Sequence, residues 1–444
     1  MKKLEQEYIQ SIEADRKAHY ESGQKALEYI ENSSARYHGR CVRTLYVPKL
    51  FEERDVANFK ALLGTLYGIF DKVIDRYLAD EDYRRLFGFD PRLEELICLP
   101  ARYPCRLPVA RIDIFYDEIT GDFKFCEFNT DGTSAMNEDR ELNIAVQRTL
   151  AYQQFAENHE LCTFELFDTL AAELKAIYDA TENASSCPHA AIVDFMDYAT
   201  ENEFKVVAES LRRVGCTAEI CEIRELTFDG QALYSPSGRK IDMIYRRAVT
   251  CDIMEHYEEV QPLIQAVKAG AVCILGDFRT QVVHNKIFYK VVQMEETLSM
   301  LTEAEQQFVQ QHFPYTQSFV KELVPLEKVL NHREGWILKP EDSYGSKGVY
   351  AGVEYSQEEW EKLVPQQYNR HYIVQEFCQP YRTINIDLMK REEAQFGDYS
   401  NITGLYVYHG RFYGIYSRIA ECSVISTQYS EMSIATILVK PADQ

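Results

Sequence analysis

The sequence has no Cys-x-x-Cys pair. Its twelve cysteines stand singly along 444 residues, so they read as reduced, buried thiols of a cytoplasmic protein. No run of about 18 apolar residues occurs, which argues against a membrane-spanning helix. The first residues, MKKLEQEYIQSIEADRK, lack the apolar centre of a signal peptide. There is no internal repeat, no low-complexity tract, no GxxxxGK[ST] phosphate loop and no dinucleotide fingerprint. Positive charge is scarce: 48 Lys and Arg face 70 Asp and Glu, a net charge of −22. Phosphate backbones and anionic membranes are therefore expected to be repelled, although a local basic pocket could still bind a small anion.

What remains is a globular composition, 46% hydrophobic and 27% charged, on a chain long enough for two or three lobes. Residues 1–40 predict two amphipathic helices, with Leu4, Tyr8 and Ile12, then Ala26, Leu27 and Ile30, at helical spacing. Residues 51–78 continue helical, and prolines 100, 104 and 108 interrupt. The stretches 141–157 and 163–182 read as one helix each. We divide the chain into a helical region with a hairpin (1–185), a small α/β unit (186–280) and a third block (281–444). In 186–280, strand–helix–strand spacing implies parallel pairing. The third block predicts a helix around HNKIFYKVVQMEETL and strands at WILKP (336–340), VYAGVEY and YIVQEF. It also predicts a helix capped by Ser356 and Glu359 and a late hairpin turning at His409 and Gly410. The fold class is α/β with α+β character.

The stretch RIDIFYDEITGDFKFCEFN (111–129) predicts a hairpin with Gly121 at positive φ. A three-residue loop at 119–121 sets Glu118 against Asp122, Asp113 against Glu127 and Arg111 against Asn129. Those four polar residues at 111, 113, 127 and 129 then share a face with Phe115, Phe123 and Phe125. Ile112, Ile114, Cys126 and Phe128 take the other face. Two carboxylates opposed on a ladder repel, and a hard divalent cation would hold them, with Arg111 clamping an anion. A solvated surface hairpin is the bland alternative, and the half-apolar face favours a pocket wall. Further along, Lys339 ends a strand before a loop holding Gly345, Ser346, Lys347 and Gly348, a weak phosphate-cradle pattern. Lys286, Gln375–Phe377 and Arg418 are unremarkable one by one.

Taken together, R-x-D, E-F-N, N-K, K-P with its glycine loop, Q-E-F and G-x-x-x-R resemble the glutathionylspermidine synthetase family of ATP-grasp carboxylate–amine ligases. The resemblance runs from Arg111 to about Ala435. It implies an ATP-grasp fold with an inserted Rossmann-like subdomain, the cofactors ATP and Mg²⁺, and the metal ligands Asp113, Glu127 and Asn129. It further implies catalytic roles for Arg111 and Arg418 and ATP contacts from Lys286, Lys339, Gly345, Ser346, Lys347 and Gly348. Gln375, Glu376 and Phe377 would form the adenine hinge. GTSA (132–135) stands where the family carries TPTS and binds its acyl substrate, so Thr133 and Ser134 are the substrate candidates. The implied partners are a small carboxylate and a small amine, with a homodimer possible and neither nucleic acid nor membrane involved. A nucleotide-binding sensor without turnover and a kinase that stops at phosphorylation stay open.

Overall fold

The computed structural model describes residues 2–37, 39–197, 199–343, 345, 347–425 and 431–440. Helices Lys3–Ala14 and Arg16–Asn32 form at the N-terminus and bury Tyr8, Ile12, Ala26 and Ile30. The helix Glu53–Ala79 buries Phe59, Leu62, Leu66, Phe70, Val73 and Tyr77 along one stripe. That stripe belongs to the same core as Ile112, Ile114, Phe125 and Phe128. The stretch 141–157 splits into Met136–Val146 and Leu150–Ala156, because the Thr149 side chain accepts from Tyr152 N and starts a new helix.

An antiparallel sheet frames the centre. Its strands run in the order Met432–Ile434, Arg411–Ala420, Gly397–Tyr408, Val109–Tyr116 and Phe123–Asn129, and Arg382–Asn385 also pairs with Gly397–Tyr408. The late hairpin turns at His409 (φ +49°) and Gly410 (φ +74°), as its sequence predicts. A second sheet is parallel throughout, in the order Cys273–Leu275, Met243–Arg246, His189–Asp194 and Thr217–Glu222. A third, antiparallel sheet joins Thr316–Ser318, Tyr372–Glu376, Trp336–Pro340 and Tyr350–Ala351. The helix beside it, Gln357–Gln367, starts with the Ser356–Glu359 capping box. All twelve cysteines carry free thiols.

Two expectations need correction. The segment 284–298 is not one helix but short turns, Gln281–His284, Phe288–Val291 and Glu295–Leu298. Asn285 takes an extended conformation (ψ 133°) and its side chain accepts from Ile287 N at 3.0 Å. The 111–129 hairpin pairs Arg111 with Asn129 and Asp113 with Glu127 as expected, but its register then shifts, so that Ile114 faces Phe125 and Tyr116 faces Phe123. Cys126 is the extra residue of a bulge. At the turn, Asp117 rather than Glu118 pairs with Asp122, with N to O 2.8 Å. Glu118 is drawn inward instead, between Lys2 (3.1 Å) and Lys49. The bulge turns Phe123 and Phe125 toward the core face and leaves Cys126 with Phe115 on the cleft side, which Phe125 also reaches.

Candidate active site

Arg111 and Asp113 stand two apart on one strand and therefore share a face. Arg111 Nε donates to Asp113 Oδ1 at 2.8 Å and Nη2 to Oδ2 at 3.1 Å. Its Nη1 reaches Ser134 O at 3.0 Å. Arg418 comes from the other side of the intervening strand and donates to Asp113 Oδ2. Asn129 Nδ2 donates to the same oxygen at 3.0 Å. The crossing is possible because the middle strand carries glycine at 404. A Cβ there would lie 2.8 Å from both Arg111 Cδ and Asp113 Oδ1. A glycine inside NITGLYVY was the available signal for this close approach.

Glu127 faces Lys286, with Nζ to Oε1 3.0 Å. Burial works against its charge, but Lys286 and then Lys339 hold the carboxyl down at about 2. Lys286 Nζ also donates to Ser343 O at 2.9 Å, at the start of the glycine loop. Lys339 Nζ donates to Gln375 Oε1 at 2.8 Å and to Cys126 O at 3.3 Å. The opposed carboxylates are thus neutralised by side chains of the protein: arginines for Asp113, a lysine for Glu127.

Part of this set lines one open cleft, which Arg111, Asp113 and Asn129 do not border. Glu127, Lys286, Lys339, Gln375, Glu376, Phe377 and Arg418 all border it. Gln375 is buried and acts on Lys339 and on Thr316 Oγ1, 2.8 Å away. The amides of Glu376 and Phe377 are spent on Tyr315 O and Gly335 O. Gly345 and Gly348 take φ of +63° and +72°. Of their loop, Ser343 and Val349 border the cleft, while Gly345, Lys347 and Gly348 do not. Ser346 lies outside the described residues. Thr133 borders a separate, small cavity and donates to Asn129 O at 2.7 Å. Ser134 offers its carbonyl to Arg111 and to Tyr406 Oη, the latter at 2.9 Å.

Carboxylate and amide oxygens at Asp113, Glu127 and Asn129 are the donors a hard divalent cation prefers. Glu127 keeps part of its side chain exposed (29%). Asp113 is 1% exposed and already accepts from Arg111, Arg418 and Asn129, so it would have to release a partner. The donor set fits the ion on that condition.

A second cavity is bordered by Asn137, Glu138, Asn202 and Glu203, together with Arg36, Glu201 and Lys205. None of these was singled out in the sequence, where they read as ordinary polar helix residues. Glu203 accepts from Met136 N at 2.8 Å and pairs with Arg247 at 3.0 Å. Glu138 is 4% exposed, and its Oε2 has no hydrogen-bond partner among the described residues. Burial, then Glu203, pushes its carboxyl up to about 8. The Tyr416 ring lies 5.5 Å from the Arg111 guanidinium carbon and 5.6 Å from that of Arg418. Burial and the charges of Glu431 and Glu138 push its phenol upward.

No family model matches the sequence, and no curated protein does. Among solved structures, the chain is similar to a glutathione synthetase like-effector, GSS30, from Globodera pallida in its apo form. The TM-score is 0.63 at 10% identity, over 94% of this chain and 96% of that one. Weaker likenesses are to a putative gamma-glutamylcysteine synthetase from Methylobacillus flagellatus KT and to the D-cycloserine synthetase DcsG. The first has TM-score 0.43, 10% identity and coverage of 88% and 90%; the second has 0.30, 11%, and 57% and 92%. This mixed α/β chain shares its fold with the glutathione synthetase like-effector.

Proposed function

We propose that this chain is an ATP-dependent carboxylate–amine ligase of the ATP-grasp kind, with the parallel-stranded unit as a Rossmann-like insertion. The observation that supports this most is the convergence of Lys286, Lys339 and Arg418 on one cleft beside Glu127. Three cations in a partly enclosed space suit a polyphosphate and a transferring phosphoryl group. No side chain need act as a nucleophile. The substrate carboxylate attacks the γ-phosphorus and the bond to ADP breaks. The ammonium first gives a proton to water, the neutral amine nitrogen attacks the acyl carbon, phosphate leaves, and the second proton of the nitrogen goes to the departing phosphate.

Lys286 and Lys339 neutralise phosphate oxygens, and Arg418 and Arg111 the charge that develops at the reacting centre. Gln375 orients Lys339. Asp113, Glu127 and Asn129 would hold Mg²⁺, which when bound neutralises phosphate charge. The amine, as an ammonium, would sit in the Glu138–Glu203 cavity, against the Glu138 oxygen that lacks a hydrogen bond, in a space that Arg36 and Lys205 also border. The acid would lie beside Arg111 and Ser134.

The test is ADP release from purified protein given ATP, Mg²⁺ and pooled carboxylates and amines, with hydroxylamine added to trap acyl phosphate. A hydroxamate together with amine-dependent ADP release is expected. ATP binding without ADP release from any pool would overturn the ligase in favour of a silent nucleotide-binding protein. A phosphorylated product with no hydroxamate would mean a kinase.

A further inference from the structure

A third large cavity lies away from the cleft and has no part in the reaction proposed above. It lies between the segment Leu96–Tyr103 and the edge strand of the parallel sheet, Cys273–Leu275. The free edge is already satisfied: Tyr103 Oη donates to Ile274 O at 2.9 Å and lies 3.2 Å from Gly276 N. A peptide strand would therefore find few backbone partners there. The walls are apolar, from Leu96, Leu99, Pro100, Val272, Ile274 and Phe278, and three cationic side chains, Arg102, Lys268 and Arg279, border it against one carboxylate, Asp277.

Arg279 is the informative residue. It is 7% exposed, and a guanidinium carries five N–H donors. Nη2 donates to Leu99 O at 2.7 Å. Nε stands 3.3 Å from Asp277 Oδ2 without making a hydrogen bond. The Arg279 charge is paired with Asp277, but its buried Nε is left without a hydrogen bond, a donor that an incoming acceptor would satisfy. The rim cations do not fill that role. Lys268 is tied to Glu95 at 2.7 Å and Arg102 to Gly270 O.

We propose that this cavity binds a small amphipathic acid, its carboxylate on Arg279 and its apolar body against Leu96, Leu99, Val272 and Phe278. In a chain of net charge −22, a pocket bordered by three cationic side chains favours an anion even though Lys268 and Arg279 are paired with Glu95 and Asp277. The proposal is independent of whether the cleft ligates anything.

The probe is sodium octanoate, with octylamine as the control of opposite charge, titrated calorimetrically into the full chain. Saturable octanoate binding at one site is expected, with no heat from octylamine. Arg279→Met should weaken binding about tenfold or more, the usual loss for a charge-assisted hydrogen bond. Because Arg279 also holds Leu99 O, a second variant guards against misfolding. Ala101→Trp places a bulky ring at an exposed position of the lining and should block entry with the thermal midpoint unchanged. No saturable binding, equal binding of octylamine, or octanoate binding unchanged in both variants would each overturn the assignment.

Discussion

Lys286 Nζ stands 3.0 Å from Glu127 Oε1 and 2.9 Å from the carbonyl of Ser343. One ammonium therefore ties the hairpin acid to the start of the glycine loop, and it does so from the break that Asn285 makes between two helical turns. A phosphate entering the cleft would compete with both partners for the same charge.

Replacing Lys286 by Met should loosen the loop as well as weaken nucleotide binding. Amide exchange across 341–349 is expected to accelerate, and ATP affinity to fall about tenfold or more. Glu127→Gln keeps the Ser343 contact and so should leave loop exchange near the wild-type rate. If the two variants loosen the loop equally, Lys286 does not anchor it.

Asp113 should respond to substitution in the direction opposite to that expected from simple strand-pair repulsion. Opposed carboxylates suggest that Asp113→Asn would relieve repulsion and stabilise the metal-free protein slightly. The carboxylate instead lies between Arg111 and Arg418, and its loss leaves two buried guanidiniums facing each other. Asp113→Asn should destabilise by about 3–5 kcal/mol. Arg418→Met, which leaves the Arg111 pair intact, should cost about 1–3 kcal/mol. Urea unfolding measures both, and an Asp113→Asn protein as stable as wild type would refute this account.

The open end of the hairpin was legible because period 2 fixes which residues share a face, and Arg111, Asp113, Glu127 and Asn129 obeyed it. Its turn end was not. The bulge at Cys126 follows from where Phe125 can be buried and where Glu118 can meet Lys2 and Lys49, partners 116 and 69 positions away. Trp336–Pro340 and the late hairpin were read correctly because their turn residues and alternation are local. Glu138 and Glu203 carried no local mark. They meet only because the helices Met136–Val146 and Glu201–Arg213 pack together, with Glu203 accepting the amide of Met136.

Gln375 offers a test of indirect action. Its side chain bridges Lys339 Nζ and Thr316 Oγ1, at 2.8 Å each, and is itself buried. Gln375→Leu removes the acceptor that aims Lys339 while leaving the lysine in place. Nucleotide affinity should drop by about tenfold, and Gln375→Glu, which restores an acceptor, should recover part of it. A Leu variant with unchanged affinity would mean that Lys339 needs no such support.

Glu138 gives a pH dependence whose sign is fixed. Its carboxyl is raised to about 8 by burial and then by Glu203, so the pair holds a proton that the unfolded chain releases near pH 4.3. Below that pH both states are protonated and nothing is lost. As pH rises from about 4.3 toward 8, stability should fall, because only the folded state keeps the proton. Glu138→Gln should remove this decline and be the more stable protein at pH 8. An ammonium entering the cavity would displace the same proton, so amine binding should strengthen with pH and release a proton. Calorimetry in two buffers of different ionisation enthalpy reads that release directly. Wild-type heats that do not depend on the buffer, or a Glu138→Gln protein with the wild-type pH profile of stability, would show that Glu138 carries no such proton.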